Sequence, residues 1–253
     1  MYSDSFDQVV ALAREAGRVT LDYFQSDFEV YDKADDSPLT QADLAADRVI
    51  TAALKDFPIR SEESGHGDFV NAETFWLVDP LDGTKSFVAG HPDYTVNIAL
   101  IHQGRPVWGV IDAPALGQTW WGGPGHGAFF NGEPMRASAA NTPLRVLASR
   151  NHLNAATHAF IEALPAHTRV QRGSSLKFCA IAMGEADLYP RLGPCCEWDT
   201  GAGEAILMGA GGAICDLNGA PLAYGKVDAL NPFFVASGKT NPVDYLPQGQ
   251  QGQ

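Results

Sequence analysis

The chain has 253 residues, of which 45% are hydrophobic, and a formal net charge of −13. This length allows one large domain or two small ones, and the apolar content is too high for a disordered chain. The negative charge excludes a broad basic face for nucleic acid polymers, because neutralising phosphates requires clustered Lys and Arg. No apolar run of about 18 residues indicates a membrane span, and the acidic start, 1–7, does not resemble a secretory signal.

The first half begins with two predicted helices and continues as strands. Apolar residues recur at helical spacing over 4–26. Thr40 and Asp43 resemble a capping box that opens a second helix. The apolar run 75–78 predicts a buried strand, which we expect to stop at Asp79 because Asp and Pro interrupt strands. An antiparallel meander should follow, with short strands at 95–101, 106–113, 119–122 and 127–131.

Beyond a small, polar stretch at 137–143, strands alternate with helices, which is typical of an α/β unit. We predict an N-terminal α+β subdomain over 1–140, a C-terminal α/β subdomain over 141–245 and a flexible tail over 246–253. The predicted C-terminal strands are 146–149, 186–189, 212–217 and 233–237, and the predicted helices are 155–164, 175–183 and 200–208.

The cysteines and histidines limit the possible metal chemistry. Cys179, Cys195, Cys196 and Cys215 form no C-x-x-C pair. We interpret them as reduced thiols of a cytoplasmic protein without a zinc finger. The seven histidines show neither H-x-x-x-H nor H-E-x-x-H spacing. Oxygen ligands for Mg²⁺, Mn²⁺ or Ca²⁺ are therefore favoured over a histidine-rich transition-metal site.

The most informative segment is Asp79-Pro80-Leu81-Asp82-Gly83-Thr84, directly after the predicted strand. One interpretation is an ordinary tight turn, since Pro, Asp and Gly are common turn residues. The other is a phosphate site. Gly83 allows close approach to the backbone, and amides at a helix N-terminus hold anions.

Two further acidic positions favour the second interpretation. Glu62 lies in Ser61-Glu62-Glu63-Ser64, a loop before the strand, and Asp199 lies at the expected N-cap of helix 200–208. Each also has a simpler explanation, a solvated Glu pair and a helix cap. Brought together with the two aspartates above, these carboxylates would repel one another unless divalent cations bridge them. Two such cations form the clamp that phosphoryl hydrolysis uses.

These segments, taken in order, resemble the signatures of the inositol monophosphatase superfamily, the lithium-sensitive, magnesium-dependent phosphatases. The resemblance spans roughly residues 5–240 and implies a layered αβαβα sandwich of the sugar-phosphatase type. The matching segments are 75–85, 197–203, 61–64, and 40–43 after Lys33.

Within the superfamily, the chain is most similar to the 3'(2'),5'-bisphosphate nucleotidase (CysQ) type. That type removes the 3'-phosphate of adenosine 3',5'-bisphosphate, a by-product of sulfate activation, and yields AMP and phosphate. Its features here are Lys85 and the segments 95–101, 173–179 and 189–194.

Three departures from this type leave the substrate less defined than the catalysis. Ser86 stands where Glu is frequent, and Gly201 where Ala is usual. Cys195-Cys196 replaces an expected Thr and Met. None of these removes a metal ligand.

The resemblance also implies a set of metal ligands for two or three Mg²⁺ ions, with Mn²⁺ as the alternative. Glu62, Asp79 and the backbone carbonyl of Leu81 would bind the first ion. Asp79, Asp82 and Asp199 would bind the second, so that Asp79 bridges the pair. A third, weaker cation would lie near Glu62 through water.

By the same resemblance, Glu62 and the Thr84 hydroxyl hold a water, activated by metal, that attacks phosphorus in line. Asp43 either orients Thr84 or only caps its own helix, and both interpretations stay open. Lys33 either supports the site's charge or is a solvated loop residue.

The transferred phosphate is expected at Gly83, Thr84 and Lys85, with Asp199 alongside. Arg and Lys side chains would recognise the second phosphate of a nucleotide, which an inositol phosphate lacks. The candidates are Ser149, Arg150, Ser174, Ser175, Lys177 and Arg191.

Three functions remain open at this point. The first is the bisphosphate nucleotidase. The second is an inositol, sugar or histidinol phosphate phosphatase. The third is a non-catalytic regulator that binds metal or nucleotide. The expected partner is a small phosphorylated substrate and no nucleic acid polymer. Monomer and homodimer, and peripheral contact with the inner face of a membrane, stay open.

Overall fold

The computed structural model describes residues 3–26, 30–32, 38–64, 69, 72–148 and 154–247. The predicted N-terminal helices are present as α1 (Ser3–Leu21) and α2 (Gln41–Ala53). Helix α1 ends five residues before the predicted boundary at 26. Helix α2 begins with the expected capping box, in which the Thr40 side chain and Asp43 exchange hydrogen bonds with the backbone. A two-stranded antiparallel ribbon, β1 (Val30–Asp32) and β2 (Pro38–Thr40), precedes it.

The predicted meander forms most of a seven-stranded sheet in the order β3-β4-β5-β6-β7-β8-β9. Strands β4 to β8 pair antiparallel, as predicted. Strand β9, which pairs antiparallel with β8, and β3, which adds a parallel edge beside β4, were not predicted. The strands are β3 (Ile59–Ser61), β4 (Thr74–Asp82), β5 (Thr95–His102), β6 (Arg105–Ala113), β7 (Gln118–Gly123), β8 (Gly127–Phe130) and β9 (Glu133–Met135).

A five-stranded mixed sheet follows in the order β11-β10-β12-β14-β13. Its strands are β10 (Leu144–Ala148), β11 (His167–Gln171), β12 (Leu188–Arg191), β13 (Ala213–Asp216) and β14 (Phe234–Ser237). The accompanying helices are α4 (Ala155–Glu162), α5 (Leu176–Ala182) and α6 (Gly201–Gly209), and a short α3 (Thr84–Val88) follows β4.

The layers follow from strands that are apolar on both faces. In β4, Trp76 and Val78 join the core under α1 and α2, whereas Phe75 and Leu77 join the core shared with α5 and α6. The second sheet packs on the far side of α5 and α6, and α4 covers its outer face. The order helix, sheet, helix, sheet, helix confirms the predicted αβαβα sandwich. The division into subdomains near residue 140 stays a prediction.

The end of β4 differs from the prediction. The strand does not stop at Asp79 but continues to Asp82. Asp79 pairs with Asn97 and Asp82 with Thr95, so two residues of β4 face only one of β5. This is a β-bulge with one extra residue in β4, and Pro80, which cannot donate a ladder hydrogen bond, is one of the two residues that face a single residue of β5. The bulge, rather than a strand end, directs both aspartates.

Candidate metal centre and active site

Three acids from distant parts of the chain meet at one site. Carboxylate oxygens of Asp79, Asp82 and Asp199 all lie within 4.8 Å of one another. By strand alternation, Asp79 falls on the face of β4 that packs toward α5 and α6, and Asp199 lies just before α6. Helix α6 can approach strand β6 closely because small residues line the contact between them: a Cβ on Gly109 of β6 would lie 2.7 Å from Cα of Ala202.

The electrostatics of this cluster are unfavourable in the protein alone. Burial raises the pKa of Asp79 well above its usual range, and the charges of Glu62, Asp82, Asp199 and Asp43 raise it further. Burial together with the charges of Asp82 and Glu62 raises the pKa of Asp199 to about 7. These four carboxylates therefore lie close enough to Asp79 to oppose its ionisation.

Asp79 is the clearest indication that a cation belongs here. Its Oδ1 accepts a hydrogen bond from the Leu81 amide at 3.0 Å. Its Oδ2 is buried and has no hydrogen-bond partner among the residues that the structure describes. Such an atom is costly unless something compensates its charge. A donor set made only of carboxylate oxygens fits a hard divalent cation.

The Asp82 carboxylate is held by the loop before α5. Its Oδ2 accepts three hydrogen bonds: from Ser174 Oγ at 2.5 Å, from the Ser175 amide at 2.7 Å and from Ser175 Oγ at 2.8 Å. Ser174 adopts a positive φ of 51° to reach it. The Ser174 hydroxyl, predicted to contact the nucleotide, is thus engaged with Asp82 and lies 2.7 Å from Thr95 Oγ1. The role of Ser175 in holding Asp82 was not predicted.

Asp199 does not cap α6, which corrects the sequence-based expectation. The N-cap residue is Thr200, and the helix begins at Gly201. Instead, Asp199 Oδ2 accepts hydrogen bonds from the Cys196 amide at 2.8 Å and from Cys195 Sγ at 3.3 Å. The carboxylate therefore folds back onto its own turn and joins the acid cluster.

The Asp43 carboxylate makes the contacts that both interpretations require, one at each oxygen. Oδ2 accepts from the Thr40 amide at 2.8 Å and from Thr40 Oγ1 at 2.5 Å, which is the helix cap. Oδ1 accepts from Thr84 Oγ1 at 3.2 Å. Thr84 Oγ1 is also 3.2 Å from the carbonyl of Leu81, the predicted backbone ligand. Asp43 is buried, so this contact fixes the Thr84 hydroxyl beside the cluster.

Gly83 forms the junction between β4 and α3. It is the N-cap residue of α3 with a φ of 96°, a left-handed conformation that favours glycine. A Cβ there would also lie 3.1 Å from the Asp93 carbonyl. The Lys85 side chain, two residues after Gly83, is exposed on α3.

Two basic side chains, Lys177 and Arg191, lie near Asp82 and Asp199. Burial lowers the pKa of Lys177 to about 8, while Asp82 and Asp199 act in the opposite direction. Lys177 Nζ donates to the Ser174 carbonyl at 2.6 Å. Arg191 is partly exposed, and within the described part of the chain its buried Nε has no hydrogen-bond partner. The remaining predicted contacts, Ser149 and Arg150, and also Lys33, lie outside the described residues.

The departure at Gly201 has a structural reason. A Cβ at this position would lie 2.9 Å from Cδ2 of Leu77 and 3.4 Å from Cβ of Ala99. The start of α6 therefore lies against β4 and β5, directly after Asp199. All four cysteines are free thiols, as predicted.

The sequence also matches a known protein family over most of its length. The model of the inositol monophosphatase family matches residues 3–240. The chain belongs to the inositol monophosphatase family. It is 40% identical over 245 residues to the 3'(2'),5'-bisphosphate nucleotidase CysQ of Escherichia coli K12, a match that covers 91% of this chain and 98% of that protein.

Solved structures of family members have the same fold. The crystal structure of CysQ from Bacteroides thetaiotaomicron is 36% identical, with a TM-score of 0.81 over 90% of this chain and 95% of that one. The IMPase of Thermotoga maritima is 28% identical, with a TM-score of 0.80 over 93% and 92%. In the part of the chain that the structure describes, no helix combines the length and apolarity that crossing a bilayer requires.

Proposed function

We propose that the chain is a Mg²⁺-dependent phosphomonoesterase that hydrolyses the 3'-phosphate of adenosine 3',5'-bisphosphate to AMP and phosphate. The observation that carries the proposal is the unpartnered, buried Oδ2 of Asp79 within a cluster of three carboxylates. The substrate is supported by the 40% identical relative from Escherichia coli, which is named a 3'(2'),5'-bisphosphate nucleotidase.

Asp79, Asp82 and Asp199, together with Glu62 and the Leu81 carbonyl, would hold the cations. When bound, a pair of Mg²⁺ ions would lower the pKa of water and stabilise the charge on the attacking and leaving oxygens. The same ions would also neutralise the carboxylates that raise the pKa of Asp79.

The protein's own groups would orient and deprotonate the water. The Thr84 hydroxyl donates toward Asp43 Oδ1 or the Leu81 carbonyl. Its oxygen lone pairs are then available to accept a hydrogen bond from the water. Glu62 lies near Asp79 and would accept the proton that the water releases. Asp43 acts in this proposal by fixing the direction of the Thr84 hydroxyl.

The amides of Gly83 and Thr84, with Lys85 nearby, would hold the phosphate that leaves. The first amides of a helix have no acceptor within the helix and can bind an anion. The partly exposed guanidinium of Arg191 would contact the second phosphate of the nucleotide. Lys177 is almost fully buried and would act there mainly through its charge.

The deciding experiment measures phosphate release from adenosine 3',5'-bisphosphate, inositol 1-phosphate and AMP at equal concentration with Mg²⁺. We expect adenosine 3',5'-bisphosphate to have the highest kcat/KM. A higher kcat/KM for inositol 1-phosphate would reject the nucleotide substrate while retaining the phosphatase. No release from any ester would reject the enzyme and favour a regulator.

A variant separates recognition of the second phosphate from catalysis. Arg191→Lys should raise KM for adenosine 3',5'-bisphosphate and leave the kinetics of inositol 1-phosphate unchanged, because Lys cannot form a bidentate contact. Arg172→Lys, at an exposed arginine, is the control and should change neither.

We further propose that the enzyme works in the cytoplasm, since its four free cysteines favour a reducing compartment.

A further inference from the structure

A buried ion pair joins the two halves of the candidate metal site. Arg60 Nη1 lies 2.8 Å from Glu197 Oε2, and the two side chains are 5% and 0% exposed. Arg60 belongs to β3 and stands two residues before Glu62. Glu197 stands two residues before Asp199. The pair therefore links two segments, 137 residues apart in sequence, that each carry a candidate metal ligand.

On one side, Arg60 is tied to the strand that carries Asp79. Strand β3 pairs with β4 so that Arg60 lies opposite Leu77. The Glu62 amide continues this ladder by donating to the Val78 carbonyl at 3.1 Å. A displacement of Arg60 would therefore move Glu62 relative to Asp79. The guanidinium is held in place by the Phe69 ring, 4.4 Å from its centroid, and by a hydrogen bond to the Val227 carbonyl at 3.3 Å.

On the other side, Glu197 organises the turn that carries Asp199. Each of its two carboxylate oxygens accepts two hydrogen bonds. Oε2 accepts from Arg60 and from the Gly225 amide at 2.9 Å, and Oε1 accepts from the Lys226 amide at 2.9 Å and Nζ at 2.5 Å. The loop held in this way returns to the turn, because Asn231 Nδ2 donates to the Cys196 carbonyl at 2.9 Å. The Cys196 amide in turn donates to Asp199.

Stability alone does not require an ion pair at this place. The desolvation of two buried charges offsets much of their attraction, and apolar replacements of such pairs are often as stable. The pair does constrain the relative orientation of the two side chains, since a guanidinium and a carboxylate interact only in a narrow set of geometries. Here that constraint sets the relative position of the two segments that carry candidate metal ligands, which would otherwise be pushed apart by their own carboxylates.

We propose that Arg60 and Glu197 are positioning residues that hold Glu62 and Asp79 at a fixed distance from Asp199 before any cation binds. The inference rests on the proposed metal site. Weakening the pair should therefore lower the affinity for divalent cations more than the loss of stability alone would.

The test uses Mn²⁺ binding to the full-length, metal-free protein, followed by electron paramagnetic resonance of the free ion. Glu197→Gln removes the charge and keeps an oxygen acceptor. The matched control is Asp187→Asn, which weakens the ion pair between Arg145 and Asp187. This pair is also 2.8 Å long and has a buried acid, but neither residue lies on a segment that carries a candidate metal ligand. Both variants should lower the melting temperature. Glu197→Gln should weaken Mn²⁺ binding by roughly 10-fold or more, and Asp187→Asn should leave it within about twofold.

Unchanged Mn²⁺ affinity in folded Glu197→Gln, or an equal loss in Asp187→Asn, would overturn the inference while the proposed function stands. If Glu197→Gln does not fold, Arg60→Lys decides in its place, because it keeps the charge and loses the fork of donors. If the wild-type protein itself binds no Mn²⁺, both the inference and the proposed function fail.

Discussion

Replacing Asp79 by Asn should have opposite effects on the metal-free and the metal-loaded protein. Asn keeps an Oδ1 that can accept from the Leu81 amide. Its neutral amide replaces the unpartnered Oδ2 and can donate to the carboxylates that this atom now repels. The metal-free variant should therefore be more stable than the wild type at pH 8, even though a candidate ligand has been removed.

The size of this effect follows from the distances. Carboxylate oxygens of Asp79, Asp82 and Asp199 lie within 4.8 Å of one another. Two unit charges at such a separation repel by roughly 3 kcal/mol at an effective dielectric constant of about 20. The metal-free protein avoids part of this cost by keeping a proton on the cluster, so we expect a gain of about 2 kcal/mol. For a chain of this length, that is roughly 4–8 °C in melting temperature.

The pH dependence has a definite sign. A carboxyl whose pKa is higher in the folded than in the unfolded protein stabilises the fold at low pH and loses that contribution as the pH rises. For Asp199, the window runs from 3.8 to about 7. Metal-free wild type should therefore lose stability across this range, and Asp79→Asn should lose less.

The assay is thermal unfolding with and without Mg²⁺ between pH 5 and pH 8. Mg²⁺ should raise the melting temperature of the wild type and have little effect on Asp79→Asn. If metal-free Asp79→Asn were less stable than the wild type at pH 8, the argument that the acids repel one another would be refuted.

Three further predictions concern single groups, and a fourth concerns inhibition by Li⁺. Asp82→Asn should lower kcat by at least roughly 100-fold with little loss of stability, measured as phosphate release beside thermal unfolding; near-normal turnover would argue against Asp82 as a ligand. Thr84→Ser should keep most of its kcat, because it retains a hydroxyl that Asp43 can orient. Thr84→Val has no hydroxyl, and its kcat should fall by roughly 100-fold or more. Equal activity of the two variants would exclude that role of the hydroxyl. Burial raises the pKa of Asp112 to about 6. Asp112→Asn should therefore stabilise the protein above pH 6, by up to roughly 3 kcal/mol. The rise in melting temperature that Mg²⁺ produces should be the same as in the wild type. Li⁺ at millimolar concentration should inhibit phosphate release if the site works as the family resemblance implies, and full activity in high Li⁺ would count against it.

The sequence predicted many of the helices and strands because their signals were local, whereas the layered αβαβα arrangement was implied by the family resemblance. Apolar spacing located α1, and the pairing of Thr40 with Asp43 located the start of α2. The elements that were missed are short or polar. Strand β11 is at the edge of its sheet, and all five of its residues are exposed or only partly buried, so it shows no apolar alternation. Strand β3 has three residues, too few for a periodic signal.

The acids of the site could be named from sequence, but their partners could not. The Asp82 carboxylate depends on Ser174 and Ser175, which come from a loop about ninety positions later. Arg60 finds Glu197 across an even longer separation. Such pairings follow from the packing of two sheets against a shared helical layer, and no spacing within one segment encodes them.

The hydrogen bonds of the three clustered acids follow one rule that explains how the protein tolerates them. At each residue, the contacts described above go to a single oxygen: Oδ1 of Asp79, Oδ2 of Asp82 and Oδ2 of Asp199. Anchoring one oxygen fixes the plane of the carboxylate, and the second oxygen is left for a ligand. At Asp199, the hydrogen bonds from the Cys196 amide and the Cys195 thiol also lower the pKa, which partly offsets the repulsion by Asp82 and Glu62. The fold therefore holds three ligand atoms in position before a cation is present, so that the binding energy of the cation is not spent on ordering the side chains.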